Sequence, residues 1–498
     1  MNKEALIAEN QALKADNDRL KAQVNMLVRA LFGKKNEKHI SQEMPPEQLT
    51  LDFGELAPVE MPADANLEEE TTQITYERKK KKHPGRHKLP DHLTIEEIVV
   101  EPTEDTTDAK HIKDVVVDTL EYVPASLHIK RYILRRYKKK VVTENGEEKS
   151  VFLQASMPTS RPLPKSIAGS GLLTHLITNK FLYHLPFHRQ IKQFAEIYGV
   201  KLAKSTINDW FIAICTLFKP LYESLKIKVY KAYYIQADES PMGVQDPDKK
   251  GKTHQGYQWL YYAPVEGLVL FDYQKGRGKN GPKAILEHFC GTLQTDGYGV
   301  YEKLCKNNAN IELISCAAHA RRYFYKALDS DPRAKKGLDY FQQLYNIERY
   351  IKENIEVEED IVAYRQEKAA PILEELFEWA EKLYPTTLPK SPLGKAFYYL
   401  LKRKDGLRGY LKHAYLQIDN NLVENSVRPL ALGRKNYLFA GSHDAAQRIA
   451  MMYSFFGSCQ KQGINPVKWF QYVLEHINQH PINKIEELLP GKWVNDLD

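Results

Sequence analysis

Five short segments rich in β-branched and aromatic residues, spread over residues 227–317, constrain the fold of this chain more than any other feature. Ile227 to Asp238 reads as a strand that closes on a carboxylate. Tyr257 to Pro264 and Leu268 to Tyr273 read as strands on either side of the Glu266-Gly267 turn. Pro282 to Phe289 reads as a helix, Thr292 to Asp296 as a fourth strand closing on a second carboxylate, and Ile311 to Ala317 as a fifth strand before a helix. Three antiparallel strands followed by alternating helix and strand imply an α/β arrangement around a mixed sheet. In such a sheet the first and fourth strands pair at the centre, which sets Asp238 beside Asp296.

That element order is the order of a ribonuclease-H-like fold, and paired carboxylates at its centre have a chemical use. Phosphodiester transfer puts charge on the attacking and leaving oxygens, and two divalent ions about 3.5–4 Å apart stabilise both. Mg2+, or Mn2+ in its place, takes oxygen ligands from a few carboxylates, water and phosphate. Strand-terminal aspartates also arise by chance, so a metal pair calls for a third acid. Glu424 is the candidate, within IDNNLVENSVRPLALGRKNYLFAGS (418–442). Asp419 reads as the N-cap of a helix bearing Glu424 and Arg428, followed by Arg434, Lys435 and Asn436, suited to gripping phosphates. A capped surface helix with ordinary charges is the plainer alternative. The expected catalytic and metal-binding set is Asp238, Asp296 and Glu424, with two ions.

Upstream, Leu6, Leu13, Leu20 and Leu27 recur every seven residues, with Asn10, Asn17, Val24 and Leu31 four positions after each. This is the pattern of a coiled coil over residues 1–33, so a homodimer or higher multimer is expected. One amphipathic helix docked on its own domain would show the same leucines. Residues 34–95 read as a linker, acidic at Glu68–Glu70 and then basic, with Lys79, Lys80 and Arg86 among seven Lys or Arg in residues 78–88. A flexible arm along DNA phosphates and a solubilising tail both fit that run. Residues 96–155 read as a small β module in which Leu127 to Val142 mixes basic with apolar residues, offering Arg131, Arg135 and Arg136 to phosphates. An edge strand guarded by charge competes with that reading.

Residues 160–225 read as helical: Ile167 to Leu182, Phe187 to Tyr198 with Gly199 as C-cap, and a helix from a Ser205-Thr206 N-cap through Phe218. This spacing suits a helix-turn-helix that offers Lys204, Thr206 and Asn208 to a major groove, although many helical pairs share it. A catalytic domain is expected over 226–442, with an all-α insertion at about 325–416 and a helical segment over 443–498.

Net charge narrows the class further. The chain has 71 Lys and Arg against 64 Asp and Glu, a formal +7 that suits a nucleic-acid partner. Its 498 residues imply two to four domains. The five cysteines are scattered without a C-x-x-C pair, which argues against a disulfide framework and a cysteine-built zinc site. No apolar stretch approaches the roughly 18 residues of a membrane helix, and no signal-peptide core opens the chain, so a cytoplasmic protein without a membrane partner is expected. No Walker-type phosphate loop supports ATP-driven work.

Six segments together carry a family resemblance: LPKSIAGSGLLTHLITNKFLYHLPFHRQ (163–190), ADESP (237–241), QTDGYGVY (294–301), CAAHARRYF (316–324), residues 418–442 as quoted, and HPINKIEELLPGKW (480–493). They resemble the insertion-sequence-66 family of transposases over nearly the whole chain. The resemblance implies Asp238, Asp296 and Glu424 as the catalytic triad, with His319, Arg321, Arg322 and Arg434 as active-site or phosphate neighbours. It also implies a bacterial protein acting on transposon ends and target DNA, with accessory transposition proteins among its partners. Relatives commonly carry a cysteine-based zinc module ahead of the segment at 120–137; this chain has no cysteine before Cys215, so no zinc is expected. Three functions remain open at this level: a strand-transferring transposase, a nuclease of the same fold that only hydrolyses, and a DNA-binding regulator without chemistry.

Overall fold

The structure, a computed structural model, describes residues 127–131, 136–142, 148–154, 161–164, 166–245, 251–306 and 308–493. The heptad segment, the linker with Lys79, Lys80 and Arg86, residues 96–126 and Arg135 lie outside the described residues. Of the strand expected over Leu127 to Val142, residues 127–131 carry no regular structure, with Arg131 exposed, and residues 136–142 are strand. β1 (Arg136–Val142) pairs antiparallel with β2 (Glu148–Gln154), and the ladder ends at Arg136 opposite Gln154, so 127–131 have no partner strand among the described residues.

Three helices follow, α1 (Ser170–Phe181), α2 (Phe187–Tyr198) and α3 (Lys204–Lys231). α2 opens after Pro186 and closes on Gly199 at φ 67°, a left-handed cap that glycine takes without a Cβ clash. α3 departs from expectation at both ends. Its N-cap is Ala203 with no side-chain cap, so Ser205 and Thr206 lie inside the first turn. It also runs on to Lys231, through residues expected as strand. Burial decides this end: Leu221, Tyr222, Leu225 and Val229 are all buried, and their spacing follows one helical face.

The central sheet has the strand order β5-β4-β3-β6-β7. β3 (Tyr234–Gln245), β4 (Thr253–Ala263) and β5 (Leu268–Gln274) are antiparallel, with Gly267 at φ 64° in the β4–β5 turn. α4 (Asn280–Leu286) leads to β6 (Gly291–Thr295), and α5 (Gly299–Cys305) to β7 (Ile311–Ser315); both strands run parallel to β3. Asp238 therefore lies within β3, not near its end, because the strand starts late and continues to Gln245. Asp296 stands one residue past β6.

Six helices, α6 (Ala317–Leu328), α7 (Ala334–Asn354), α8 (Glu358–Tyr364), α9 (Ala370–Leu383), α10 (Pro392–Lys402) and α11 (Lys404–Arg408), come next in the chain. They build a core of their own around Phe324, Phe341, Phe377, Phe397 and Leu400. α12 (Asn421–Tyr437), α13 (His443–Lys461) and α14 (Pro466–His476) return to the sheet, where Phe455 and Trp469 join Phe181, Phe218 and Phe271 in the larger core.

α13 also closes one rim of the sheet. Ser458 Oγ accepts the Val269 amide at 2.9 Å, Ser454 Oγ the Phe271 amide at 2.8 Å, and Gln447 Oε1 the Tyr273 amide at 3.1 Å. Side chains one helical face apart thus replace the neighbouring strand that edge strand β5 lacks. No helix among the described residues is long and apolar enough to cross a membrane.

Candidate active site

Two buried glutamines tie together the segments that carry the acids. Gln236 of β3 pairs in parallel register with Gln294 of β6 at the last bridged position, and each stands two residues before an acid, Asp238 or Asp296. Side chains alternate along a strand, so Asp238 shares a face with Gln236. Gln236 Nε2 donates to Gln294 Oε1 at 2.9 Å and to the Asp419 carbonyl at 3.0 Å. Gln294 Nε2 donates to the Gln417 carbonyl at 2.8 Å, and the Val423 amide donates to Gln236 Oε1 at 3.1 Å. The Tyr234 hydroxyl completes the network by donating to Gln294 Oε1 at 2.6 Å. Both glutamines are fully buried, so each bond is costly to leave unmade. Together they dock residues 417–423 across β3 and β6, and α12 begins there with Glu424 in its first turn.

The N-cap of α12 is Asn420, one residue later than expected. Asp419 still meets the helix start, where its Oδ1 accepts the amide of Asn421 at 3.0 Å, while its Oδ2 accepts the Tyr345 hydroxyl of α7 at 2.7 Å. Arg434, Lys435 and Asn436 lie in the last turns of α12, not beyond it. The buried face of Ser426, Val427, Leu430 and Gly433 carries the helix past Pro429.

The acids interact through their charges. Asp238 is half-buried, and its carboxyl is held well above the usual range, first by burial and then by the charges of Glu239, Asp296 and Glu424. Its Oδ1 accepts the Glu239 amide at 2.8 Å, and Asp296 Oδ1 accepts the Tyr298 amide at 2.8 Å. Glu424 is 5% exposed; burial raises its carboxyl, Arg322 opposes that rise, and Asp419 and Asp296 add to it. Arg322 Nη2 stands 3.6 Å from Glu424 Oε2, and His319 Nδ1 stands 3.6 Å from Oε1. Both neighbours come from one face of α6. Burial pushes His319 down to about 4, so at neutral pH it carries no charge. His319 Nδ1 and Glu424 Oε1 are buried without hydrogen-bond partners. Among the described residues no group of three or more His, Cys, Asp or Glu side chains is placed to hold a metal ion.

Further residues hold the site; Glu239 and Tyr301 lie in the quoted segments 237–241 and 294–301, whereas Tyr399 and Arg403 are marked by no local pattern. Glu239, with its side chain 2% exposed, takes Arg277 Nη2 at 2.6 Å and Nε at 2.9 Å on Oε1, and the Tyr301 hydroxyl at 3.2 Å on Oε2. The Arg277 guanidinium also lies 4.2 Å from the Tyr298 ring centre. From α10, the Tyr399 hydroxyl donates to the Asp296 carbonyl at 2.5 Å. Arg403 Nη2 reaches the Gly297 carbonyl at 2.5 Å and Glu302 Oε1 at 3.0 Å, and its guanidinium lies 4.2 Å from the Tyr399 ring centre. Gly297 has φ 87°, and a Cβ there would run into Arg403.

Other expected residues are dispersed. Arg321 lies beside Tyr345 and Tyr325 rather than at Glu424, because it projects from a different side of α6 than His319 and Arg322. Arg434 donates to the Pro241 carbonyl and so ties the end of α12 to β3. Arg428 and Lys435 are exposed on α12. Lys204 is exposed at the start of α3, where Thr206 and Asn208 are half-buried.

Three family profiles match the chain: "Transposase IS66 family" over residues 165–448, "Transposase C of IS166 homeodomain" over 19–98 and "IS66 C-terminal element" over 454–490. Uncharacterised proteins of Sinorhizobium fredii are similar along their length. The protein y4jD is 30% identical, covering 96% of this chain and 95% of its own. Its fellow y4hP is 28% identical, over 95% and 88%, and y4qI is 26% identical, over 95% and 88%. The longest profile takes in the strands bearing Asp238 and Asp296, the helices after β7, and Glu424 on α12. This chain belongs to the IS66 family of transposases.

Proposed function

We propose that the protein cuts phosphodiester bonds at the ends of a mobile element and joins the freed 3′ ends to target DNA, with Asp238, Asp296 and Glu424 as its catalytic carboxylates. The observation that carries this is electrostatic: acids from β3, from the end of β6 and from the first turn of α12 all act on one another, though 186 positions separate the first from the last (424 − 238). The strand order, three antiparallel and two parallel with β3 at the centre, supports a ribonuclease-H-like catalytic domain over 226–442 with an all-α insertion at about 325–416.

The donor set fits a hard divalent cation. It is made of carboxylate oxygens, one of them buried and unpartnered, and burial followed by the charges of its neighbours raises the proton affinity of Asp238. Asp238 and Asp296 would hold two Mg2+ or Mn2+ ions, and Glu424 would complete the shell of one. When bound, such ions stabilise charge on the attacking and leaving oxygens.

Around them the chain's own groups divide the remaining work. The Gln236–Gln294 network holds the start of α12, which carries Glu424, against β3 and β6. Arg322, 36% exposed beside Glu424, offers its guanidinium to a phosphate. Neutral His319 lines the buried side of Glu424 without adding charge. Arg131, Arg136, Lys204, Thr206, Asn208, Arg428 and Lys435 extend the proposed DNA-facing set, and residues 1–33 are the proposed dimerisation segment.

The test uses labelled duplexes carrying the element's terminal repeats, with Asp238→Asn, Asp296→Asn and Glu424→Gln assayed singly. Each variant is expected to lose cleavage and strand transfer while still binding DNA. Cleavage at the wild-type rate by any one of them removes that residue from the mechanism. Hydrolysis without joined products would assign the protein to the nuclease class instead.

A further inference from the structure

The helix that carries Glu424 ends in a strained turn. Leu438, its C-cap, has φ 65° and ψ −51°, and the Phe439 amide bonds back to the Tyr437 carbonyl at 2.8 Å. This is a γ-turn of the hand that L-residues avoid. Among the described residues only one other non-glycine, His184, has a positive φ. The turn is fixed from both sides. The Leu438 amide donates to the Arg434 carbonyl at 2.8 Å, the Ala440 amide to that of Gly243 at 2.9 Å, and the Gln245 amide to that of Ala440 at 2.8 Å. The end of α12 and the end of β3 therefore impose the strain jointly, and strain imposed in this way concentrates at working positions.

What the turn presents is apolar and outward. Leu438 is 71% exposed and Phe439 44%. Their collar is basic and polar: Arg434, Lys435 and Asn436 lie in the turn of α12 just before them, and Arg189 of α2 donates to Asn436 Oδ1 at 3.3 Å. An apolar tip inside a cationic collar complements DNA in particular, since phosphates meet the collar while the tip finds its apolar environment between bases. We propose that Leu438 and Phe439 form a wedge that enters the base stack of DNA held at the active site and unstacks one step. This rests on the DNA-cutting function proposed above. α12 is the ruler between the two sites: the 14 positions from Glu424 to Leu438 span about 20 Å of helix, less than one turn of duplex.

The experiment uses the full chain and a terminal-repeat duplex with 2-aminopurine placed at successive positions within a turn of the cleaved bond. Ca2+ replaces the catalytic ion. Wild type is expected to raise the fluorescence at one step. The double variant Leu438→Ala, Phe439→Ala is expected to lose that rise while its affinity changes by less than about tenfold and its salt slope is unchanged, because the phosphate contacts remain. Leu438→Gly, which relieves the positive φ, is expected to fold at least as stably as wild type and to weaken the rise. Asp238→Asn is expected to keep it, so a failed catalytic assignment and a failed wedge give different results. A rise that survives both wedge variants, or no rise at any position, overturns the proposal. So does a change in sedimenting mass of the double variant, which would make the pair a protein contact.

Discussion

Replacing Tyr399 with phenylalanine isolates one tie between the helices after β7 and the site. The substitution removes a single oxygen, leaves no cavity, and keeps the ring stacked on Tyr323 with centroids 4.6 Å apart. It keeps the Arg403 contact as well. What is lost is the 2.5 Å bond to the Asp296 carbonyl. A net hydrogen bond contributes about 1 kcal/mol, and a carbonyl left unpaired adds about as much again, so a loss of about 1–2 kcal/mol is expected. Urea unfolding should show it as a lower midpoint at constant slope. The effect on metal should be disproportionate. With the Tyr399 tie to the Asp296 carbonyl gone and Arg403 left to anchor Gly297, Mn2+ affinity is expected to fall at least about tenfold, as it does when an outer partner of a metal ligand is removed. Titration calorimetry with Mn2+ reads that directly. A Tyr399→Phe protein that loses stability but binds Mn2+ like wild type would reduce the hydroxyl to ordinary packing and refute the tie.

Three other outcomes follow from the same geometry. Asp238→Asn should raise the thermal midpoint of the metal-free protein, because it removes a charge opposed by Glu239, Asp296 and Glu424; a lower midpoint in scanning calorimetry would contradict this. Since that carboxyl is raised on folding, the folded state binds its proton more tightly. Stability therefore falls as pH climbs from the unfolded carboxylate range through the raised value, and Asp238→Asn should flatten that slope. His319 has the opposite sign: with its folded value lowered to about 4 from 6.5, its contribution is present above 6.5 and is lost as pH falls toward 4, a dependence His319→Gln should remove in denaturation midpoints across that window. Ser454→Ala and Ser458→Ala should each cost about 1–3 kcal/mol by orphaning the Phe271 or Val269 amide. Hydrogen exchange at those two amides should accelerate first.

Much of the sheet is legible in the sequence. β4, β5, β6 and β7 follow runs of β-branched and aromatic residues bounded by turn formers, and Gly199 and Pro186 mark helix ends by backbone chemistry alone. The adjacency of the strands that lead to Asp238 and Asp296 is legible too, since each acid ends a Gln-x-Asp triplet and the two glutamines pair. Where local composition and tertiary burial disagree, the sequence misleads. Ile227 and Val229 look like strand, yet Val229 continues a buried face begun at Leu221, and only the packed core reveals that. Asp419 does meet the first amide of α12, as its type suggests, but its second bond, to Tyr345 from 74 residues away, has no local signal. Tyr399 and Arg403 are invisible beforehand because a tyrosine and an arginine on a long helical stretch have no signature until their partners are known. The balance of burial, Arg322 and neighbouring acids that sets the proton affinity of Glu424 is likewise not written in any strand pattern.

The serine-lined groove where α13 meets β5 also limits how copies of this protein can associate. A bare strand rim is the easiest place for two sheets to fuse, and several copies crowded along one DNA molecule would meet that hazard often. Here the rim is already saturated, so on this side any assembly must be made through helices or through chain outside the sheet. Exchanging those hydroxyls for greasy side chains, harmless in most buried helices, would therefore expose a sticky seam as well as loosen the fold, and its first sign would be clumping rather than melting.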